Sequence, residues 1–246
     1  MSKRQKLFIP GNRLTTIAYT ADLFVQKAQE AVAAKGAFFV ALSGGSTPRS
    51  LYERLFHSPY KERVAWDKVH FFWSDERSVP PDQEKSNYRM ALKAGLQDLP
   101  IPPAQVHRMK AEENIEEGAK QYEELLTRLL PESAFDLVLL GMGEDGHTAS
   151  LFDGSLGVKE RKRLVIANWI PSLKTWRMSL TFPCIRKAAL TVVLILGERK
   201  KEALSDLFKK DKKKPSYPIA QLGTPSRPAL FIADQEASSL LTNADV

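Results

Sequence analysis

Short apolar runs alternate along this chain with longer stretches in which apolar residues recur at helical spacing. The runs are 37–42 (AFFVAL), 69–73 (VHFFW), 137–140 (LVLL), 164–167 (LVIA), 191–196 (TVVLIL) and 229–233 (ALFIA). Rich in Val, Ile, Leu and Phe, they fit strands buried on both faces, as in a parallel sheet. Arg177-Met178-Ser179-Leu180-Thr181 alternates and reads as a further strand. Residues 19–34 place Leu23, Phe24, Ala28, Ala31 and Val32 at helical spacing, and Gly36 closes that helix just past its end. Residues 112–130 read as a long amphipathic helix, 49–56 and 86–96 as shorter ones, 100–103 as a loop and 198–208 as a charged helix. Strands and helices alternate throughout, without an internal repeat or a long linker. The pattern predicts an α/β fold, a mostly parallel sheet covered by helices on both faces, in a single domain spanning 1–246.

Ligands of such sheets bind beyond the carboxyl ends of the strands, so those ends are where chemistry is sought. The first carries Ser43-Gly44-Gly45-Ser46-Thr47-Pro48. Ser46 or Thr47 can cap the helix that follows, and Pro48 suits its first turn. Backbone N–H groups at such a turn cradle anions, although an ordinary tight connection has the same composition. No Gly-Lys-Ser/Thr follows, so this is not a Walker A loop. The second end carries Asp75-Glu76-Arg77, followed by Val79-Pro80-Pro81. It is either a surface loop or a stiffened one that orients Arg77, whose planar fork of donors suits phosphate or a developing oxyanion.

The third end is Gly141-Met142-Gly143-Glu144-Asp145-Gly146-His147. Its glycines allow a tight turn and close approach of another molecule. His147 is the side chain type best suited to proton transfer near neutral pH; a structural His bonded to backbone is the alternative. The spacing Gly141-x-Gly143-x-x-Gly146 formally matches a dinucleotide fingerprint. Asp145 would put a carboxylate where pyrophosphate belongs, and Arg161-Lys162-Arg163, about 20 residues on, offers no acidic partner for a ribose. His57, His70 and His107 lack a comparable setting and read as structural or exposed. No ligand spacing such as His-x-x-x-His occurs, so no metal site is expected. Lys174 and Arg177 are strand-associated cations suited to completing a phosphate pocket.

Composition narrows the class. With 43% hydrophobic and 26% charged residues the chain reads as soluble and globular. No apolar run approaches the roughly 20 residues of a membrane span, and the basic N-terminus lacks the apolar segment of a signal peptide. A lone cysteine, Cys184, excludes an intrachain disulfide framework; a reducing, cytosolic location is expected. The net charge is +7, concentrated in Arg199-Lys200-Lys201 and in residues 209–214. Without aromatic interleaving, zinc-finger spacing or an RNA-binding motif, these runs read as solvated faces and not as a nucleic-acid site. The overall positive field would attract a phosphorylated substrate.

In combination the motifs are familiar. Ser43-Gly-Gly-Ser-Thr-Pro48, Asp75-Glu-Arg-x-Val-Pro80 with Ser86-Asn87 after it, Gly141-Met-Gly-x-Asp-Gly-His-Thr-Ala-Ser-Leu-Phe152 and Arg177-Met-Ser-Leu-Thr181 closely resemble, in matching order, the 6-phosphogluconolactonase family. Asp153 departs from the Pro of many such lactonases. The related glucosamine-6-phosphate deaminases share the Gly-Gly-Ser/Thr loop and the Asp-Gly-His turn, but there the turn usually continues toward Ile-Ala-Phe-Asn-Glu. The resemblance implies a Rossmann-like, three-layer α/β/α sandwich that needs no cofactor. It implies hydrolysis of 6-phospho-D-glucono-1,5-lactone, the second step of the oxidative pentose phosphate pathway, with a phosphorylated sugar lactone as the small-molecule partner. On this reading His147 activates water, Asp145 orients the imidazole, and Arg77 stabilises substrate or oxyanion. Ser43, Gly44, Gly45, Ser46, Thr47 and Asp75 line the substrate site, and Lys174 or Arg177 adds a cation for the phosphate. An amino-sugar phosphate deaminase and a non-catalytic sugar-phosphate sensor are the alternatives, and the sequence leaves monomer or dimer open.

Overall fold

The computed structural model describes residues 4–209 and 217–242. Most of the lysine-rich stretch, from residue 210 on, therefore lies outside the described residues. In chain order the elements are β1 (Gln5–Phe8), α1 (Arg13–Lys35), β2 (Phe38–Leu42), α2 (Ser46–Leu55), β3 (Val69–Trp73), β4 (Asp75–Arg77), α3 (Asn87–Lys93), α4 (Ile115–Leu129), β5 (Leu137–Leu140), β6 (Val165–Ile170), β7 (Thr175–Leu180), α5 (Phe182–Ile185), β8 (Leu190–Ile195), α6 (Lys201–Phe208) and β9 (Ala229–Ala233). Short 3-10 turns join several of them.

Six strands pair in parallel in the order β1-β9-β8-β5-β2-β3, flanked by helices. Every residue of β2 and of β5 is buried, which is why those segments read as unbroken apolar runs. Phe38, Phe71, Leu42 and Leu137 are fully buried in one continuous core; each such side chain contributes roughly 1.5–3 kcal/mol by leaving water. The strand order reverses between β2 and β5: from β2 the chain moves outward to β3, whereas from β5 it moves the other way, to β8 and β9. Neighbouring strands whose connections diverge leave a crevice at their carboxyl ends.

A second, three-stranded antiparallel sheet, β4-β7-β6, stands beside the first. Ser74 joins the two. Its N–H donates to the Leu42 carbonyl of β2 (2.7 Å), and its own carbonyl accepts from Leu180 N–H of β7 (2.8 Å). Asp75-Glu76-Arg77, expected as a loop, is therefore a strand, in register with Ser179, Met178 and Arg177. Three adjacent charges hid its pairing. The two strands expected around 164–167 and 177–181 form the β6–β7 hairpin, and α4 packs on it.

Other differences lie at element starts. α1 begins six residues before the apolar periodicity does, because Asn12 caps it by accepting from Thr15 N–H (3.0 Å). β1 is an edge strand with alternating exposure, too short to show a pattern. Gly36, at φ 79, closes α1 as expected. No helix among the described residues is long and apolar enough to cross a membrane.

Candidate active site

The crevice at the β2/β5 reversal is a cleft of about 200 Å3. Its walls are the 43–48 turn after β2, Asp75 and Arg77 of β4, the 141–143 and 147–149 segments after β5, and Lys200 beyond β8. Two strand-end motifs that are about 100 residues apart in sequence thus face one space.

His147 and Asp145 are in contact. His147 Nδ1 lies 2.5 Å from Asp145 Oδ1, and the His147 amide also donates to that oxygen (3.2 Å). With Nδ1–H donating to the carboxylate, the lone pair falls on Nε2. The hydrogen bond from His147 holds the Asp145 carboxyl below its ordinary range, against a smaller opposing effect of burial, so it is ionised at neutral pH. Phe152 stacks on the imidazole, with ring centres 3.9 Å apart. The turn that makes this contact is tight: Gly143 N–H donates to the His147 carbonyl (2.9 Å), and Gly146 N–H to the Gly143 carbonyl (3.1 Å), with Gly146 at φ 73. A Cβ on Gly143 would fall 2.1 Å from His147 Nδ1. Of the three fingerprint-like glycines, Gly143 makes room for the Asp145–His147 pair and Gly146 for the Tyr217 ring, and no α-helix opens at this turn to receive a pyrophosphate. Behind the turn, Ile219 N–H donates to the Gly146 carbonyl (3.0 Å) and Thr148 Oγ1 to the Gly141 carbonyl (2.9 Å).

The 43–48 turn is divided in its work. Ser43 is committed to the fold: its N–H donates to Tyr52 Oη (2.9 Å), and its buried Oγ pairs with Ser74 Oγ (2.8 Å). The expected cap from Ser46 or Thr47 is not found. The N-cap is Gly45, at φ 102, and both hydroxyl residues fall within the first turn of α2. No side chain caps this helix, so its first-turn amides and positive end are available to an anion.

The charge run 199–201 predicts Lys200 on a solvated face. Instead it lines the cleft, with its side chain 21% exposed and its Nζ 4.0 Å from Glu144 Oε1. Burial lowers its ammonium pKa from the usual value, with Glu144 opposing. The turn that carries it is anchored by buried Asp234, whose two carboxylate oxygens each accept from Gly197 N–H at 3.0 Å. A signal existed: β8, Gly197 and a helix start repeat the strand–glycine–helix arrangement of residues 38–48.

Asp75 is buried and accepts from Ser150 Oγ (2.7 Å) and Asn87 Nδ2 (3.3 Å). Arg77 is anchored through Nη1 on the Lys85 carbonyl (2.6 Å). Arg177 pairs with Arg77 across the sheet and does not itself line the cleft. Its Nε and Nη1 are buried with no hydrogen-bond partner among the described residues. Burial, then the charge of Arg77, lowers its pKa. Lys174 is brought to neither group: it is exposed in the β6–β7 turn at φ 47 and lines no part of the cleft. A residue before a strand shares that strand's sequence neighbourhood without sharing its face. Asp153 sits in an exposed turn directly after Phe152.

Known proteins match this chain over most of its length. The 6-phosphogluconolactonase of Chlamydia pneumoniae is 40% identical over 215 residues, 87% of this chain and 82% of that one. A solved 6-phosphogluconolactonase from Trypanosoma cruzi superposes with a TM-score of 0.84 at 30% identity, covering 98% of each chain. A monomeric glucosamine-6-phosphate deaminase has nearly the same backbone, with a TM-score of 0.80 over 96% of this chain and all of that one, but only 20% identity. Backbone shape therefore does not separate the two activities. The family described as glucosamine-6-phosphate isomerases/6-phosphogluconolactonase matches residues 12–232, and this chain belongs to it.

Proposed function

We propose that the protein hydrolyses 6-phospho-D-glucono-1,5-lactone to 6-phospho-D-gluconate, the second step of the oxidative pentose phosphate pathway. The observation that carries this reading is the sharing of one cleft by an uncapped helix end and an Asp–His pair, in a chain 40% identical to a 6-phosphogluconolactonase.

The 6-phosphate sits at the amino end of α2, against the Gly44–Thr47 backbone and the Ser46 and Thr47 hydroxyls, with Lys200 as its cation. The lactone carbonyl carbon then lies toward His147. His147 Nε2 takes a proton from water as the water oxygen bonds to C1, and Asp145 stabilises the imidazolium. The C1–ring oxygen bond breaks, and His147 returns the proton to the departing oxygen. Arg77 faces the charge that develops on the carbonyl oxygen. Arg177 stays in the reading on the strength of its two unpartnered donors, which an anion reaching Arg77 would satisfy. No step requires a metal or a redox cofactor. One hydrophobic cluster joins the described elements, which supports reading the chain as a single domain.

The test offers purified protein the two substrates separately. Acid release from the phosphorylated lactone, faster than its spontaneous hydrolysis, with no ammonia released from glucosamine 6-phosphate, is the expected result. Ammonia release would replace the reading with the deaminase; binding of 6-phosphogluconate without turnover would replace it with the sensor.

A further inference from the structure

Ser86-Asn87 is part of the motif pattern, yet neither residue lines the cleft. Asn87 is nevertheless 1% exposed and touches two of the cleft's walls at once. Its Nδ2 donates to the Asp75 carbonyl (2.8 Å) and to Asp75 Oδ1 (3.3 Å). Its carboxamide also fills the space where Gly44 would carry a side chain: a Cβ there would fall 1.8 Å from Asn87 Oδ1 and 2.3 Å from its Cγ. Gly44 has no left-handed φ, so space and not conformation requires glycine at that position.

Asn87 is itself held firmly. Its backbone N–H donates to Glu76 Oε1 (2.7 Å). The same buried carboxylate accepts from Arg77 N–H (2.8 Å), Tyr88 N–H (2.8 Å) and Ser86 Oγ (3.0 Å), which clips the start of α3 to β4. A carboxamide fixed at its own backbone, bonded to Asp75 and packed on Gly44, sets the distance between β4 and the 43–48 turn.

We infer that Asn87 is a positioning residue for the phosphate end of the cleft: it acts through Gly44 and Asp75, and touches no substrate. The inference rests on reading the turn as the phosphate cradle. Two consequences separate it from a role in folding alone. The effect falls on KM for a phosphorylated lactone, not on hydrolysis of an unphosphorylated one, because only the first uses the turn. Positions 44 and 87 are also coupled, since both variants disturb a single contact.

The experiment measures kcat and KM for 6-phosphogluconolactone and for glucono-1,5-lactone with wild type, Asn87→Ala, Gly44→Ala and the double variant. Asn87→Ala should raise KM for the phosphorylated lactone about tenfold, the loss of roughly one to two net hydrogen bonds, with kcat within about threefold and the unphosphorylated reaction within about twofold. Gly44→Ala alone should impair the phosphorylated reaction by a similar factor, and should cost less than twofold once Asn87 is Ala. Independent, multiplying effects of the two substitutions, or equal effects on both lactones, overturn the proposal. If Asn87→Ala fails to fold, Asn87→Ser with Gly44→Ala measures the same coupling. Wild type that shows no preference for the phosphorylated lactone would refute the phosphate cradle; the coupling of positions 44 and 87 in kcat/KM then still decides whether Asn87 sets the turn.

Discussion

Two pairs built on histidine stand in this molecule, and their surroundings assign them opposite work. His147 meets a carboxylate, Asp145, and opens on the cleft. His70 meets another histidine: its Nδ1 lies 3.2 Å from His107 Nε2, with Phe39 stacked on one ring and Phe72 on the other. Burial, then the charge of His70, pushes the His107 pKa down to about 4, and burial lowers His70 as well. A carboxylate partner stabilises an imidazolium, so the first pair can accept and release a proton during a reaction. Between two half-buried imidazoles in contact only one proton is shared comfortably, so the second pair stays neutral and serves packing. Residue type alone does not make a base; the partner and the place in the cleft do.

The sharpest way to break this contrast is to remove each histidine. His147→Ala should lower kcat by about 10²–10⁴, the usual worth of a general base, with an unchanged melting temperature. His107→Asn should do the reverse, lowering the melting temperature with kcat kept within about threefold of wild type. Turnover by His147→Ala near the wild-type rate would end the assignment. Next in size is the partner: Asp145→Asn keeps the shape but loses the ionised acceptor, and kcat should fall on the order of tenfold or more.

Lys200→Ala probes the other end of the cleft. KM for the phosphorylated lactone should rise about 10- to 100-fold, the range for one hydrogen bond to a charged group, with little change in kcat. Lys174→Ala, outside the cleft, is the matched control and should change neither. The smallest effect is on stability against pH. A histidine pKa below its ordinary 6.5 means that the folded state binds fewer protons than the unfolded one. The stability due to the neutral His70–His107 pair is therefore full above about pH 6.5 and drains away as pH falls toward about 4. Urea midpoints across that window should fall less steeply for His107→Asn than for wild type.

The strands of the parallel sheet were legible because burial on both faces leaves an apolar signature that survives in one dimension. The Asp75–Arg77 strand was not, because its pairing is to β7, about 100 residues away, and its own residues are charged. The place of His147 at the cleft was legible from a Gly-rich turn at a strand end. Its bond to Asp145 needed the turn geometry, and the stacking of Phe152 needed the fold. Lys200 was masked by its neighbours: inside a run of three cations, the one turned toward a cleft looks like the two that are not. Lys174 was misplaced for the complementary reason, since closeness to Arg177 in sequence was taken for closeness in space.

Gly45 leaves α2 without a side-chain cap, where Ser, Thr, Asn or Asp typically adds a few tenths of a kcal/mol over glycine. On the proposed reading the sugar phosphate itself completes that helix, so folding and metabolite supply are linked quantities. Ligand at about 100 times its Kd would add about 2.7 kcal/mol to the folded state. The melting temperature of this protein then becomes a gauge of sugar-phosphate concentration, and the chain is most easily unfolded when its substrate runs out.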